Sequence, residues 1–501
     1  MKIAVIGAGA SAVSLLDALA QRWESPAEIT VFEPAPDLWR GRPYRDDTPA
    51  VRVNAPPVEM SVRDGDPAHF ERWLDRHFGG ERDCAPDPFS GDRFVPRSRF
   101  GSYLDSSAAS AIARLEAANS EVTIHRSTVT GLLRTTHQVV ARDSAGRFQP
   151  FDACVMCVGV ASPADHYGLS GQEGFVPDPY PAAAKLSRID PSHDVAVLGS
   201  GLTAVDAVLS LVHRGHRGRI ALVSRQGVLP AVRQSRVEHR LRHFTVPRLR
   251  ELARRGRMRL EALTDLMRTE LAAAGHGTAA IEREFGRFGS ESAADRLRRH
   301  LAAVDDSDIG MRVLQQAVPE TGPDVWPALP AGERDLVLRD YYRHLMSLCC
   351  PMPPSSASIL LRLMEYGQLE VLSGLAGVRP ERRGFTVAAS GSLRRFDTVV
   401  NGVGASASRV PPRAATLVDS LLRSGAAQRH PHGGLAIDPA TSRVVSVRGP
   451  DPRLYALGDL AAGTLFFTFG IPSLVDRARD IVGALERERA AADRRRAVHA
   501  M

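Results

Sequence analysis

Two short apolar blocks, Ile3-Ala4-Val5-Ile6 and Val195-Ala196-Val197-Leu198, stand out along the chain, each preceded by a charged residue and closed by glycine. An unbroken apolar run of this length predicts a strand buried on both faces of a parallel sheet. Each is followed by a glycine turn and a helical stretch, so each reads strand, turn, helix. Second strands are predicted at Ile29-Thr30-Val31-Phe32 and Ile220-Ala221-Leu222-Val223. Helices are predicted from Ser61 to Phe78 and from Arg99 to Ala118, and strands at Val122–His125, Gln138–Ala141 and Ala153–Val158. Phe396-Asp397-Thr398-Val399-Val400-Asn401-Gly402-Val403-Gly404-Ala405 repeats the pattern of Phe151 to Gly159: an apolar strand opened by Asp and closed by Gly. Between about 235 and 350 the strand signal vanishes. Leu249, Leu252, Met258, Leu260, Leu263 and Leu266 recur at helical intervals, and further helical segments follow near 278–286 and 292–303.

The pattern implies an α/β chain with two Rossmann-like dinucleotide-binding domains, one inserted in the other, plus a helical insertion. The expected boundaries are 1–175 and 406–501 for the outer dinucleotide-binding domain and 176–234 and 351–405 for the inserted one. The helical insertion spans 235–350 and reads as an active-site cover or a dimer interface. Phe175 to Pro181 reads as a linker and residues 34–60 as a long loop.

The glycines after the first strands carry the chemistry. Gly7, Gly9 and Ala12 form one GxGxxA fingerprint and Gly199, Gly201 and Ala204 a second, 192 positions apart (199 − 7). In such a fingerprint the first Gly makes the turn, the second admits a pyrophosphate and the small third residue lets helix and strand approach. The phosphates then meet N–H groups at a helix N-terminus. Twenty-six residues beyond the first Gly (33 − 7), Glu33 can accept bonds from ribose hydroxyls, which suits FAD or NAD. The same count from Gly199 (225 − 199) reaches Arg225, preceded by Ser224, which suits the 2′-phosphate of NADPH. A solvated surface Arg is the other reading of that position.

Composition adds little to this picture. With 44% hydrophobic and 24% charged residues the 501-residue chain has ordinary globular values. The net charge of +7 comes from scattered Arg, since Lys2 and Lys185 are the only lysines, and no aromatic recognition module accompanies it. Nucleic-acid binding is therefore not expected. No run of 18 apolar residues suggests a membrane span, and five sparse cysteines suit a reducing, cytoplasmic setting. Cys154 and Cys157 fall in a predicted strand, on opposite faces, which disfavours a redox pair. No metal site is read.

Leu454-Tyr455-Ala456-Leu457-Gly458-Asp459 adds a third flavin-type signature, followed by Thr464 to Ser473 with Pro472 in the first turn of a helix. With Arg52 to Ser61 (including Asn54), Phe94 to Leu104, Met352-Pro353-Pro354 and the two fingerprints, the chain resembles the two-dinucleotide FAD/NAD(P)-binding flavoprotein monooxygenases. These include urate hydroxylases and aspartate N-oxygenases. The resemblance implies that Gly7, Gly9, Ala12, Glu33, Asn54, Gly458, Asp459 and Pro472 hold FAD. It likewise assigns Gly199, Gly201, Ala204, Ser224 and Arg225 to NADP. It further implies NADPH-driven transfer of one atom of dioxygen, through a flavin C4a-hydroperoxide, to the nitrogen of a small amino acid such as aspartate. Urate or another heterocycle as a carbon-hydroxylation substrate is the alternative, and an NADPH reductase passing electrons to a partner protein is another. Arg233 and Arg236 are candidate clamps for an anionic substrate; surface arginines are the competing reading. No catalytic acid or base is identified, and the oligomeric state is left open.

Overall fold

A computed structural model describes residues 1–404, 410–468 and 470–499. Ala405 and Phe469, both within motifs named above, lie outside the described residues. The first apolar block forms the strand Lys2–Ile6 at the centre of a six-stranded sheet. The order across that sheet is 443–446, 449–456, 153–156, 2–6, 28–32 and 121–125. All pairings are parallel except the edge hairpin between Arg443–Ser446 and Gly449–Ala456. Ile3, Val5, Leu15, Leu16 and Leu19 are fully buried, so strand and following helix share one core. Each such side chain contributes about 1.5–3 kcal/mol of burial.

The second block repeats the design in a five-stranded parallel sheet, ordered 369–372, 220–223, 195–198, 398–401 and 175–176. Each central strand pairs on one side with the next strand and on the other with a returning strand. Ile6 faces Phe32 and Met156, while Leu198 faces Val223 and Asn401. A three-stranded antiparallel sheet precedes each return, at 129–151 and 377–396. The repeat seen in sequence is thus a repeat of architecture.

Local boundaries differ in places. The helix expected from Ser61 is only His69–Phe78, because Pro57–Glu59 forms a separate 3₁₀ turn and Gly65 adopts a φ of 74° that breaks any continuation. The stretch in which Leu249 to Leu266 recur at helical intervals is two helices, Val246–Arg254 and Leu260–Ala273, divided at Gly256 with φ 65°. Phe175–Val176, read as linker, is the edge strand of the second sheet and pairs with Val399–Val400. Two isolated residues of such a linker carry no periodicity for sequence to reveal.

The insertion builds its own core around Leu249, Leu271, Val313, Ala317, Trp326 and Leu348. Buried carboxylates organise its polar interior. Glu270 accepts backbone N–H bonds from Arg242, His243 and Phe244. Glu284 pairs with Arg296 at 2.8 Å, Arg299 at 2.7 Å and His300 at 3.0 Å. Burial opposes its charge, but the bonds from His300 and the two guanidinium groups outweigh this and hold it well below the usual carboxylate range. Among the described residues no helix is long and apolar enough to cross a membrane.

Candidate functional site

The first strand ends at Gly7, whose φ of 102° turns the chain toward helix Ala10–Arg22. A Cβ on Gly7 would lie 2.4 Å from the carbonyl oxygen of Cys157, at the end of the returning strand. Gly199, at φ 105°, is confined in the same way, 2.8 Å from the carbonyl oxygen of Gly402. These first glycines are demanded by the fold itself. Ala12 and Ala204 are fully buried, and a Cβ on Gly402 would come within 3.0 Å of the Ala204 Cα, so these alanines set helix-to-strand distance and do not line a ligand space.

The second glycines behave differently. Gly9 and Gly201 are the N-caps of helices Ala10–Arg22 and Leu202–His213, and neither helix start has a side-chain cap. A Cβ on Gly201 would meet nothing within 4 Å, and one on Gly9 would meet only Gly41, at 3.6 Å. Both N-termini therefore present uncapped N–H groups to open space, the arrangement that receives phosphate.

A cavity of about 530 Å³ opens at the first of these N-termini. It lies beyond the carboxyl ends of the central strands, where open α/β sheets bind ligands. Gly7, Gly9, Glu33, Gly458 and Asp459 all line it. Glu33 is held by backbone N–H groups of Ala8 at 3.1 Å and Ala35 at 2.9 Å, one on each carboxylate oxygen. Each oxygen keeps a lone pair for a ligand hydroxyl. Gly458, at φ 89°, packs where a Cβ would come within 2.9 Å of the Ser11 hydroxyl. Burial pushes the Asp459 carboxyl up to about 6. Pro472 stands in the first turn of helix Ile471–His499, and its neighbours Ile471 and Leu474, not Pro472 itself, reach the cavity.

Asn54 is not on the cavity. Its side-chain amide donates to the Pro351 carbonyl at 3.3 Å, and its own carbonyl accepts from Arg233 Nε at 2.9 Å. At the second site Ser224 is buried; its hydroxyl accepts from Gly227 N–H and meets the Ser200 hydroxyl at 3.0 Å. That hydroxyl secures the turn instead of facing outward. Arg225 is exposed at the end of strand Ile220–Val223, near Tyr167. The candidate substrate clamps separate: Arg233 is neutralised by Glu59, 3.2 Å away, while Arg236 is exposed beside Asp92. A paired guanidinium is a poor anchor for a substrate carboxylate, because Glu59 already takes its charge.

Several cavity residues carried no sequence signal. Arg40, Gly41, Arg42 and Tyr44 come from the loop after Phe32, and Asp178 and Tyr180 from the segment read as linker. Only the recurring Pro, with Arg and Asp in the first stretch, marked them as loops. A contact beside the site is also new. Trp326 of the insertion donates from Nε1 to the Gly463 carbonyl at 3.1 Å and stacks on Phe466 at 4.4 Å. Phe466 has a φ of 64°, an unusual conformation for an aromatic residue. The insertion thus rests on the segment after Asp459, two residues before Thr468, which lines the cavity.

Two sheets with matched fingerprints, uncapped helix starts, a fixed Glu33 and a cavity ending at Asp459 decide the architecture. The chain has a fold of two dinucleotide-binding-type sheets, the second inserted in the first. A family model described as FAD-NAD(P)-binding matches residues 4–161, the part that contains Gly7, Gly9 and Glu33. No curated protein sequence matches the chain. Among solved structures the fold is similar to that of L-lysine 6-monooxygenase from Pseudomonas syringae. The TM-score is 0.60 at 17% identity, over 97% of this chain and 99% of that one. A cadaverine monooxygenase of desferrioxamine biosynthesis from Erwinia amylovora, solved with FAD, aligns at TM-score 0.60 and 12% identity over 96% and 93%. An ornithine N-hydroxylase from Kutzneria sp. 744, solved with reduced FAD, NADP+ and L-ornithine, aligns at 0.54 and 15% over 97% and 99%. The likeness of fold thus extends along nearly the whole chain.

Proposed function

We propose that this chain is an FAD-dependent, NADPH-using monooxygenase that oxygenates the nitrogen of a small amine-bearing molecule, an amino acid or a diamine. The observation that carries the reading is the pairing of two dinucleotide sites with a helical insertion that rests on the end of the first. A likeness of fold to lysine, ornithine and cadaverine monooxygenases supports it. In this reading FAD lies along the cavity, with pyrophosphate at Gly9, ribose at Glu33 and the flavin end toward Asp459. NADPH lies at Gly201, with its 2′-phosphate at Arg225. The balance is R–NH2 + O2 + NADPH + H+ giving R–NHOH + H2O + NADP+.

FAD supplies the hydride acceptance and oxygen chemistry when bound; the chain supplies binding, orientation and dryness. The N-termini at Gly9 and Gly201 stabilise the two pyrophosphates. Trp326, Phe466 and the insertion core keep water from the reacting end, which limits loss of oxidising power as hydrogen peroxide. Asp459, whose raised affinity for protons comes from burial, can hold a proton beside the cavity at mildly acid pH. Aspartate, the substrate expected from the family resemblance, loses the support of Arg233, which Glu59 occupies.

The test is product analysis. Purified holoenzyme is supplied with NADPH, ¹⁸O-labelled dioxygen and, one at a time, lysine, ornithine, cadaverine, aspartate and urate. One labelled hydroxylamine is expected. A labelled hydroxylated purine would favour the carbon-oxygenating alternative, and peroxide alone with every amine would refute N-oxygenation. Arg225→Ala is expected to weaken NADPH about tenfold or more and leave NADH unchanged, as loss of one charge-assisted contact predicts.

A further inference from the structure

The segment joining the two sheets is fastened at every step, and its fastening reaches both sites. Phe175–Val176 pairs with Val399–Val400 of the second sheet. Asp178 receives a bidentate pair from Arg42, with Nη2 at 2.6 Å and Nε at 3.1 Å, and both residues line the first cavity. Asp47 caps the short helix beyond, accepting from Ala182 N–H at 2.8 Å and Ala183 N–H at 2.7 Å. Between these clamps stands Tyr180. Tyr180 lines the first cavity, and its hydroxyl donates to Asp206 on helix Leu202–His213. Arg97, the first residue of helix Arg97–Ala117 in the first domain, closes the triangle. It pairs with Asp206 at 2.6 Å and donates to the Tyr180 hydroxyl at 3.2 Å and the Arg52 carbonyl at 3.1 Å. Asp206 and Arg97 are largely buried, with 8% and 16% of their side chains exposed.

We propose that Arg97, Tyr180 and Asp206 form a positioning triad that fixes the second site's helix against the first cavity. In doing so it sets the distance between the two bound dinucleotides; this last step rests on the function proposed above. The reason is mechanical. Asp206 lies in the second turn of the helix whose N-terminus, at Gly201, faces the second ligand, so a movement of Asp206 moves that N-terminus with it. Tyr180 lines the first cavity and bonds the second helix through its hydroxyl, so one residue reaches both. A buried ion pair with one partner removed is strongly destabilising, whereas removal of the tyrosine hydroxyl only loosens it. Hydride transfer demands near-contact of donor and acceptor atoms, and a misplacement of about 1 Å can cost about a hundredfold in rate. Binding of each dinucleotide, made on its own helix start, need not change.

Tyr180→Phe is the decisive variant, because it keeps the ring and deletes a single hydroxyl. In anaerobic stopped flow with saturating NADPH, flavin reduction in the holoenzyme is expected to slow at least about tenfold. FAD content and the NADP+ dissociation constant from calorimetry are expected to stay within about threefold of wild type. Hydrogen exchange in the holoenzyme is expected to rise in the first turns of helices Leu202–His213 and Arg97–Ala117. Asp206→Asn, which leaves Arg97 buried without its carboxylate, is expected to lower the melting temperature as well as to slow reduction, so the split is read from Tyr180→Phe. Wild-type exchange together with wild-type reduction in Tyr180→Phe would overturn the triad. So would a loss of reduction that merely tracks loss of NADP+ binding or of melting temperature. If NADPH does not reduce the wild-type flavin, the proposed function fails, and hydrogen exchange alone then decides the coupling.

Discussion

At the scale of single residues, the two glycines of each fingerprint have unlike duties. A side chain on Gly7 would strike the Cys157 carbonyl 2.4 Å away at a φ of 102°, whereas one on Gly9 faces open space but for Gly41. Gly7→Ala is therefore expected to destabilise the fold, by roughly 1–3 kcal/mol for the backbone conformation alone and more for the clash. Gly9→Ala is expected to melt like wild type while losing FAD; thermal melts of the apoproteins beside flavin-to-protein ratios separate the two. The fingerprint divides their duties in sequence, turn against pyrophosphate, but hides why Gly7 admits no side chain, because the carbonyl that it must avoid comes from a strand 150 residues later (157 − 7). Asp459 offers a second test. Its proton affinity, raised by burial to about 6, exceeds that of an unfolded aspartate. Between about pH 4 and 6 the folded apoprotein thus binds more protons than the unfolded chain, and stability falls as pH rises through that window. Asp459→Asn is expected to stabilise the apoprotein at pH 7.5 by on the order of 1–3 kcal/mol, with the gain gone near pH 4, as read by denaturant titration at the two pH values.

Among elements, both parallel sheets were legible from apolar blocks and glycine turns, since a strand buried on two faces writes an unbroken hydrophobic run. The linker strand Phe175–Val176, the helix break at Gly65 and the wall formed by Arg40 to Tyr44 were not. They are set by partners distant in sequence, and two-residue strands and loops have no period. Asn54 and Arg233 show the same limit. The family resemblance gave Asn54 to FAD and Arg233 was a candidate clamp for an anion, yet what the sequence does not show is that the two are joined in the fold, Arg233 Nε donating to the Asn54 carbonyl. Within the insertion, Glu284 holds two arginines and a histidine in place. Glu284→Ala would leave Arg296, 8% exposed at its side chain, without its carboxylate. A loss of about 3–5 kcal/mol is expected in urea unfolding at pH 7. The wild-type contribution is present above an unfolded glutamate's pKa and disappears only as acid protonates Glu284, so the gap between variant and wild type should narrow toward low pH.

At the scale of the whole molecule, the insertion meets the first domain through Trp326, the Gly463 carbonyl and Phe466. Trp326→Ala deletes the stack and the hydrogen bond together, and a stability loss of about 3–5 kcal/mol is expected. If the insertion excludes water as proposed, a larger share of NADPH oxidation should end as hydrogen peroxide, and a peroxide-coupled assay run alongside NADPH absorbance reads this directly. An unchanged ratio would argue that the insertion serves another purpose. The chain's connectivity also dictates an order of events on the ribosome. The second sheet is finished once Asn401 has emerged, whereas the first lacks Gly449–Ala456, which pairs with Ala153–Met156, and helix Ile471–His499, which packs on helix Ala10–Arg22. The domain that begins at the N-terminus is therefore the last to be completed, contrary to the usual N-to-C order of domain folding during synthesis. Nascent chains stalled with residue 440 just outside the exit tunnel should protect Val195–Asn401 from protease while leaving the segments around Glu33 and Cys157 open to cleavage. A ligand of that cavity would then be captured among the final acts of biogenesis, because Asp459 leaves the tunnel only after the rest of its pocket has waited, half-built, for the strand that brings it home.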